Sequence, residues 1–133
     1  MKRRALATLL LLVAATTVAC GGGASERALE VKMRYSRYLP ASVEIKTGTT
    51  VDFELVNADP IEHEFVIGTA AEQLAHERGN PHDPHNGPGE ALLAAGQSRH
   101  LRYTFRDAGT LLYACHRPGH YSYGMRGTIT VKA

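Results

Sequence analysis

The residues with the most chemistry to offer lie in one short stretch, Cys115-His-Arg-Pro-Gly-His120-Tyr-Ser-Tyr-Gly-Met125. It carries a thiol, an imidazole and a thioether spaced as Cys-x4-His-x4-Met. Soft sulfur donors combined with imidazole suit copper among the biological metals. A set of two histidines and one cysteine with a weak axial methionine holds copper for one-electron transfer. The stretch supplies Cys115, His120 and Met125. The second imidazole has to come from elsewhere, and His63 is the best-placed candidate.

Three donors on one loop converge only if the chain doubles back between them. Pro118 and Gly119 precede His120, and Gly124 precedes Met125, which are residue types that permit tight turns. The flanks read as strands: Thr110 to Cys115 is rich in apolar residues, and Thr128 to Val131 alternates Thr, Ile, Thr, Val. A loop between two strands of a rigid scaffold is a usual place for a site.

The segment from Tyr113 to Val131 resembles the C-terminal copper loop of the cupredoxins, the small blue copper proteins, and its spacing is most similar to the rusticyanin and auracyanin types. The resemblance runs from about Leu29 to the end of the chain. It implies a Greek-key β-sandwich holding one type 1 copper ion on His63, Cys115, His120 and Met125. His63 falls at a loop-to-strand position like that of the first ligand histidine in this family. Many cupredoxins carry Asn or Ser after that histidine, whose side chain ties the two ligand loops together; here the residue is Glu64. The His-Cys-His run of multicopper oxidases is absent, because Ala114 precedes Cys115, and His116 reads as a surface residue or a neighbour of the ligands. The dinuclear copper domain of terminal oxidases needs two loop cysteines, and this loop has one.

The elements that must position these residues are short. Leu29, Val31, Met33 and Tyr35 alternate with charged residues, and so do Val43 with Ile45 and Val51 with Phe53 and Leu55, while Leu101, Tyr103 and Phe105 alternate with Arg102, Thr104 and Arg106. Tyr38-Leu39-Pro40 interrupts the first run. The second and third flank Thr47-Gly48 and read as adjacent segments joined by a tight turn. Asn57-Ala-Asp-Pro60 is a loop leading into a strand from Ile61 to Ile67, with His63 near its start. Ala91 to Ala95 reads equally as strand or helical turn, and His100 lies on a polar face. Thr69 to Gly79 favours a short helix. About seven strands and one helix indicate an all-β sandwich, with the helix and a long loop as an excursion.

That loop, Asn80 to Glu90, carries His82 and His85, with His76 just before it. Clustered histidines bind copper or zinc. The competing reading is a solvated polar loop, and prolines and glycines that impose no register favour it.

The 133 residues provide one domain with a real core. Lys2, Arg3 and Arg4 precede an apolar run from Ala5 to Ala19, the pattern of a secretory signal. Thr17-Val-Ala-Cys20 before Gly21-Gly-Gly-Ala-Ser25 resembles a bacterial lipoprotein cleavage site, with Thr17 where Leu is usual. The resulting division is residues 1–19 as signal peptide, 20–27 as a lipidated Cys20 with its tether, and 28–133 as the cupredoxin domain. The other reading of Cys20 is a free thiol after ordinary cleavage nearby. Without the leader, 12 basic side chains face 13 acidic ones. No basic stripe with interleaved aromatics suggests nucleic acid. If Cys20 is lipidated, Cys115 has no disulfide partner in an exported chain, and copper ligation gives it a role.

These readings lead to a lipid-anchored, monomeric protein of the cell envelope or periplasm. It exchanges single electrons with redox partner proteins and catalyses no reaction, since every ligand position is filled by the protein. The first alternative is a copper-tolerance buffer with an added site at His76, His82 and His85. An enzyme domain ranks last, because one domain is short for a copper oxidase or nitrite reductase.

Overall fold

The computed structural model describes residues 25–79 and 87–133. The leader, Cys20, His82 and His85 lie outside the described residues. The order of elements is β1 (Glu26–Met33), β2 (Tyr38–Leu39), β3 (Ser42–Lys46), β4 (Thr50–Asn57), β5 (His63–Gly68), α1 (Ala70–Glu77), β6 (Glu90–Leu93), β7 (Ser98–Thr104), β8 (Gly109–Ala114) and β9 (Arg126–Lys132). Paired structure therefore begins at Glu26, within the stretch read as tether.

Two mixed sheets face each other, one in the order β2-β1-β4-β7 and the other β3-β9-β8-β5-β6. This is the expected β-sandwich with one short helix. The described strands number nine rather than about seven. The interruption at Tyr38-Leu39 is itself a two-residue strand paired with the end of β1, and the ambiguous run at Ala91 pairs with β5.

One expected neighbourhood is corrected. β3 and β4 are consecutive across Gly48, yet they do not pair. β3 lies parallel to β9, and β4 lies parallel to β1 and antiparallel to β7. The turn at Gly48, with φ of +82°, carries the chain from one sheet to the other. Alternation gives each strand a buried face but does not say which sheet that face belongs to.

The alternating residues form the core. Val51, Phe53 and Leu55 from β4 meet Phe65 of β5, Tyr113 of β8 and Ile129 of β9. Phe65 stacks on Tyr113 at 5.3 Å between centroids, and Tyr38 meets both rings edge-on. Such pairs contribute about 0.5–1.5 kcal/mol beyond their burial.

β5 departs from alternation, since all six of its residues are buried. One face looks into the core, and α1 packs over β5 and β8 on the other. Thr69 caps α1 in a reciprocal box with Glu72: the Glu72 N–H donates to the Thr69 hydroxyl, and the Thr69 N–H donates to the Glu72 carboxylate. Gln73 holds the helix down by donating to the Val66 and Leu112 carbonyls at 2.8 and 3.3 Å.

Candidate metal centre

The copper loop leaves β8 at Ala114 and re-enters β9 at Arg126. Its ends are pinned where the Cys115 N–H donates to the Met125 carbonyl at 3.1 Å. Within it the Met125 N–H donates to the His120 carbonyl at 2.9 Å, and the His120 N–H to the Arg117 carbonyl at 2.9 Å. These bonds fold Cys115, His120 and Met125 over one another. Gly119 takes φ of +84°, and a Cβ there would lie 2.9 Å from the Tyr123 ring. Both the turn and the close approach require glycine.

His63 arrives by strand register. β5 and β8 run antiparallel with Val66 opposite Ala114. Continuing that count puts Glu64 opposite His116 and His63 beside the loop. Cys115 and His63 are fully buried, Met125 is buried beneath the loop, and His120 is part-exposed.

Three donor atoms form a small triangle. The Nδ1 atoms of His63 and His120 are 3.3 Å apart, and Cys115 Sγ lies 3.3 Å from His120 Nδ1 and 3.9 Å from His63 Nδ1. A first-row metal bound at about 2.0 Å to nitrogen and 2.3 Å to sulfur would set trigonal ligand atoms roughly 3.5–3.8 Å apart. The triangle is close to that size. One thiol proton satisfies a single edge, whereas one cation at the centre satisfies all three. Among the described residues this is the one group of three His, Cys, Asp or Glu side chains close enough to share an ion.

The imidazole orientation is fixed. His63 Nε2 lies 2.8 Å from Asp59 Oδ2. A carboxylate only accepts, so Nε2 carries the proton and the Nδ1 lone pair faces the site. Burial alone would raise the Asp59 carboxyl. Hydrogen bonds from the Ser36 N–H, His63 and the Tyr35 N–H outweigh it and leave the carboxyl below its ordinary value. Burial, then the neighbouring His63, lowers the His120 imidazole, which keeps it neutral and able to coordinate. The Cys115 thiol is pushed up to about 11 by burial, against hydrogen bonds from the Glu64 and Arg117 backbones. Metal binding therefore has to displace a proton from the sulfur.

Glu64 ties the loops together in place of the Asn or Ser usual in the family. Its N–H points at Cys115 Sγ at 3.4 Å, and its Oε2 accepts from the His116 N–H at 3.0 Å. A carboxylate thus does the work of an amide or hydroxyl.

His116 is not a surface residue. Its side chain is 3 % exposed, with Nδ1 2.7 Å from Glu77 Oε2 and Nε2 2.6 Å from Gln73 Oε1. It fastens the copper loop to α1, and its ring stacks on Tyr121. His76, expected on the histidine-bearing excursion, lies against His116 with ring centroids 4.6 Å apart. His100 lies on the exposed face as expected, 3.1 Å from Asp52. The sequence reading missed Asp59 and Gln73; an acid four residues before a candidate ligand histidine was the available signal for the first.

A sandwich that gathers a buried cysteine, a buried histidine and a part-exposed histidine at one end defines the cupredoxin class. The chain belongs to the plastocyanin/azurin family of copper-binding proteins, whose family model matches residues 25–132. It is 38 % identical over 112 residues to the copper-resistant cuproprotein CopI of Rubrivivax gelatinosus, covering 81 % of this chain and 68 % of that one. It is 28 % identical to auracyanin-B of Chloroflexus aurantiacus, covering 71 % of this chain and 46 % of the relative. A solved structure of auracyanin B superposes with a TM-score of 0.69 at 27 % identity, covering 80 % of this chain and 89 % of that one.

Proposed function

We propose that the chain holds one copper ion on His63, Cys115, His120 and Met125 and serves copper tolerance in the cell envelope. The observation that carries this is the triangle of His63 Nδ1, His120 Nδ1 and Cys115 Sγ. Cys115 binds as the thiolate, the two histidines as neutral imidazoles and Met125 as a weak axial donor. With four donors from the protein, substrate finds no ligand position, so the chain is a copper binder and not an enzyme. The relatives named as copper-resistant cuproproteins support tolerance as the role.

A second reading is the one-electron carrier. The likeness to auracyanin B supports it. Copper whose ligands do not exchange changes oxidation state with little rearrangement, and the part-exposed His120 offers a route to the surface. Export with a lipid on Cys20 belongs to both readings. Among the described residues no helix is long and apolar enough to cross a membrane.

The visible spectrum of the copper(II) protein tests the site. An intense thiolate-to-copper band at one copper per chain, lost in Cys115→Ser, is expected. A colourless protein that still binds copper would overturn it. Deleting the gene separates the roles. Copper sensitivity that the wild-type chain corrects and the Cys115→Ser chain does not supports tolerance. A respiratory defect with unchanged copper sensitivity supports the carrier.

A further inference from the structure

Two buried acidic side chains stand directly behind the candidate ligands. Asp59 is 7 % exposed and meets the outer nitrogen of His63 at 2.8 Å. It cannot swing away. Oδ1 accepts from the Tyr35 N–H at 2.7 Å and Oδ2 from the Ser36 N–H at 2.8 Å. Tyr35 and Ser36 both sit at positive φ, +54° and +50°, a turn that aims successive amide groups at one anion. The Asp59 N–H is itself held by Asn57 Oδ1 at 3.0 Å.

Glu64 is on the other side of His63 in the chain, with its side chain 3 % exposed. It grips the backbone of His116, the residue after the candidate thiolate. The Arg117 guanidinium lies 3.8 Å from its Oε1 and 3.0 Å from Glu62, so one cation is shared between two acids. Among the described residues Asp59 pairs with no guanidinium or ammonium, and the cationic group it meets is the His63 imidazole, whose proton it shares.

Each acid acts on the charge of an ion held by His63 and Cys115. A fixed negative charge favours the divalent ion over the monovalent one, and in a buried setting solvent and salt screen it little. A carboxylate accepting the outer N–H of a ligand imidazole also raises the donor strength of the inner nitrogen. Two contacts work the other way. The Glu64 and Arg117 N–H groups withdraw electron density from the Cys115 sulfur, but both belong to the backbone and survive side-chain substitution.

We propose that Asp59 and Glu64 are the positioning residues that select the oxidation state of the bound metal, holding the site toward copper(II), with Asp59 the stronger. This rests on the reading of the triangle as the copper site. It assigns a specificity to residues that need not touch the ion. Such a site would retain cupric copper where one framed by neutral partners would tend to hold copper(I).

The test compares the full mature chain with Asp59→Asn, Glu64→Gln and, as a control, Glu62→Gln, an acid that meets Arg117 at the surface. Copper(II) and copper(I) affinities are measured separately, by competition with a chelator selective for each state. The midpoint potential of the copper form is measured alongside. Asp59→Asn is expected to shift the affinity ratio toward copper(I) roughly tenfold or more. For one electron, tenfold corresponds to about 59 mV upward in potential. Glu64→Gln is expected to shift it in the same direction by less, and Glu62→Gln hardly at all. Circular dichroism of the metal-free variants shows whether each one folds, and Glu64→Gln carries the test if Asp59→Asn does not. A ratio unchanged in folded variants that keep the thiolate band overturns this proposal and leaves the copper site standing. Absence of that band in the wild-type chain overturns the site reading itself, and this proposal with it.

Discussion

Gly127 lies directly across from Tyr113 in the β8–β9 pairing, and a Cβ on Gly127 would come within 2.2 Å of the tyrosine ring. The ring fills the space that the missing side chain leaves. Its hydroxyl reaches over to donate to the Pro40 carbonyl at 2.5 Å. Tyr113 stands two residues before Cys115, so this contact sets the bed on which the copper loop starts.

Gly127→Ala should therefore destabilise the chain by about 2–3 kcal/mol, the cost of overpacking a filled core. The ring is held on several sides and has little room to retreat. Urea unfolding of the metal-free protein measures it. A change under about 0.5 kcal/mol would show that β8 and β9 can part without loss.

Asn57 organises the loop that leads to His63. Its Nδ2 group lies 2.8, 3.1 and 3.0 Å from the carbonyls of Ile61, Leu93 and Ala94, and its Oδ1 accepts from the Asp59 N–H. Asn57→Ala leaves these groups without their partner and should cost about 3 kcal/mol. Copper affinity should also fall, because Asp59 and His63 lose their common anchor. Unfolding and chelator competition read the two effects separately.

His116 offers a way to separate the scaffold from the site. His116→Leu removes the links to Gln73 and Glu77 and should cost about 2 kcal/mol. The thiolate band should persist, since Cys115 is held by its own backbone bond to Met125. Losing the band with the fold intact would show that α1 positions the ligands directly.

Acid should weaken the metal-free protein in two windows. The folded His120 imidazole titrates below its ordinary value of 6.5, so the unfolded chain binds more protons and stability falls as pH drops below that value. Asp59 is lowered from 3.8, so its contribution is present above that value and is lost as pH falls through the folded value. Urea midpoints across pH 3 to 8 follow both. Copper affinity has its own slope. Displacing one proton from Cys115, whose thiol sits at about 11, should tighten binding about tenfold per pH unit through neutrality. A flat affinity between pH 6 and 8 would mean that the sulfur does not bind as thiolate.

The candidate donors and most of the strands that frame them are legible in the chain itself. Cys115, His120 and Met125 lie on one loop, so their grouping depends on local turns, and glycine and proline mark those turns in the chain. Alternation likewise marks a buried face in β4, because it is a property of the strand alone. Tertiary structure decided what depends on pairing between distant segments. It put β3 and β4 in different sheets, brought His63 to the loop through the β5–β8 register and turned His116 inward against α1. It also set Asp59 behind His63, where an acid in a turn acquires a partner only once that turn is folded over the strand. Periodicity records which face of a segment avoids water; it carries no information about which other segment supplies the cover.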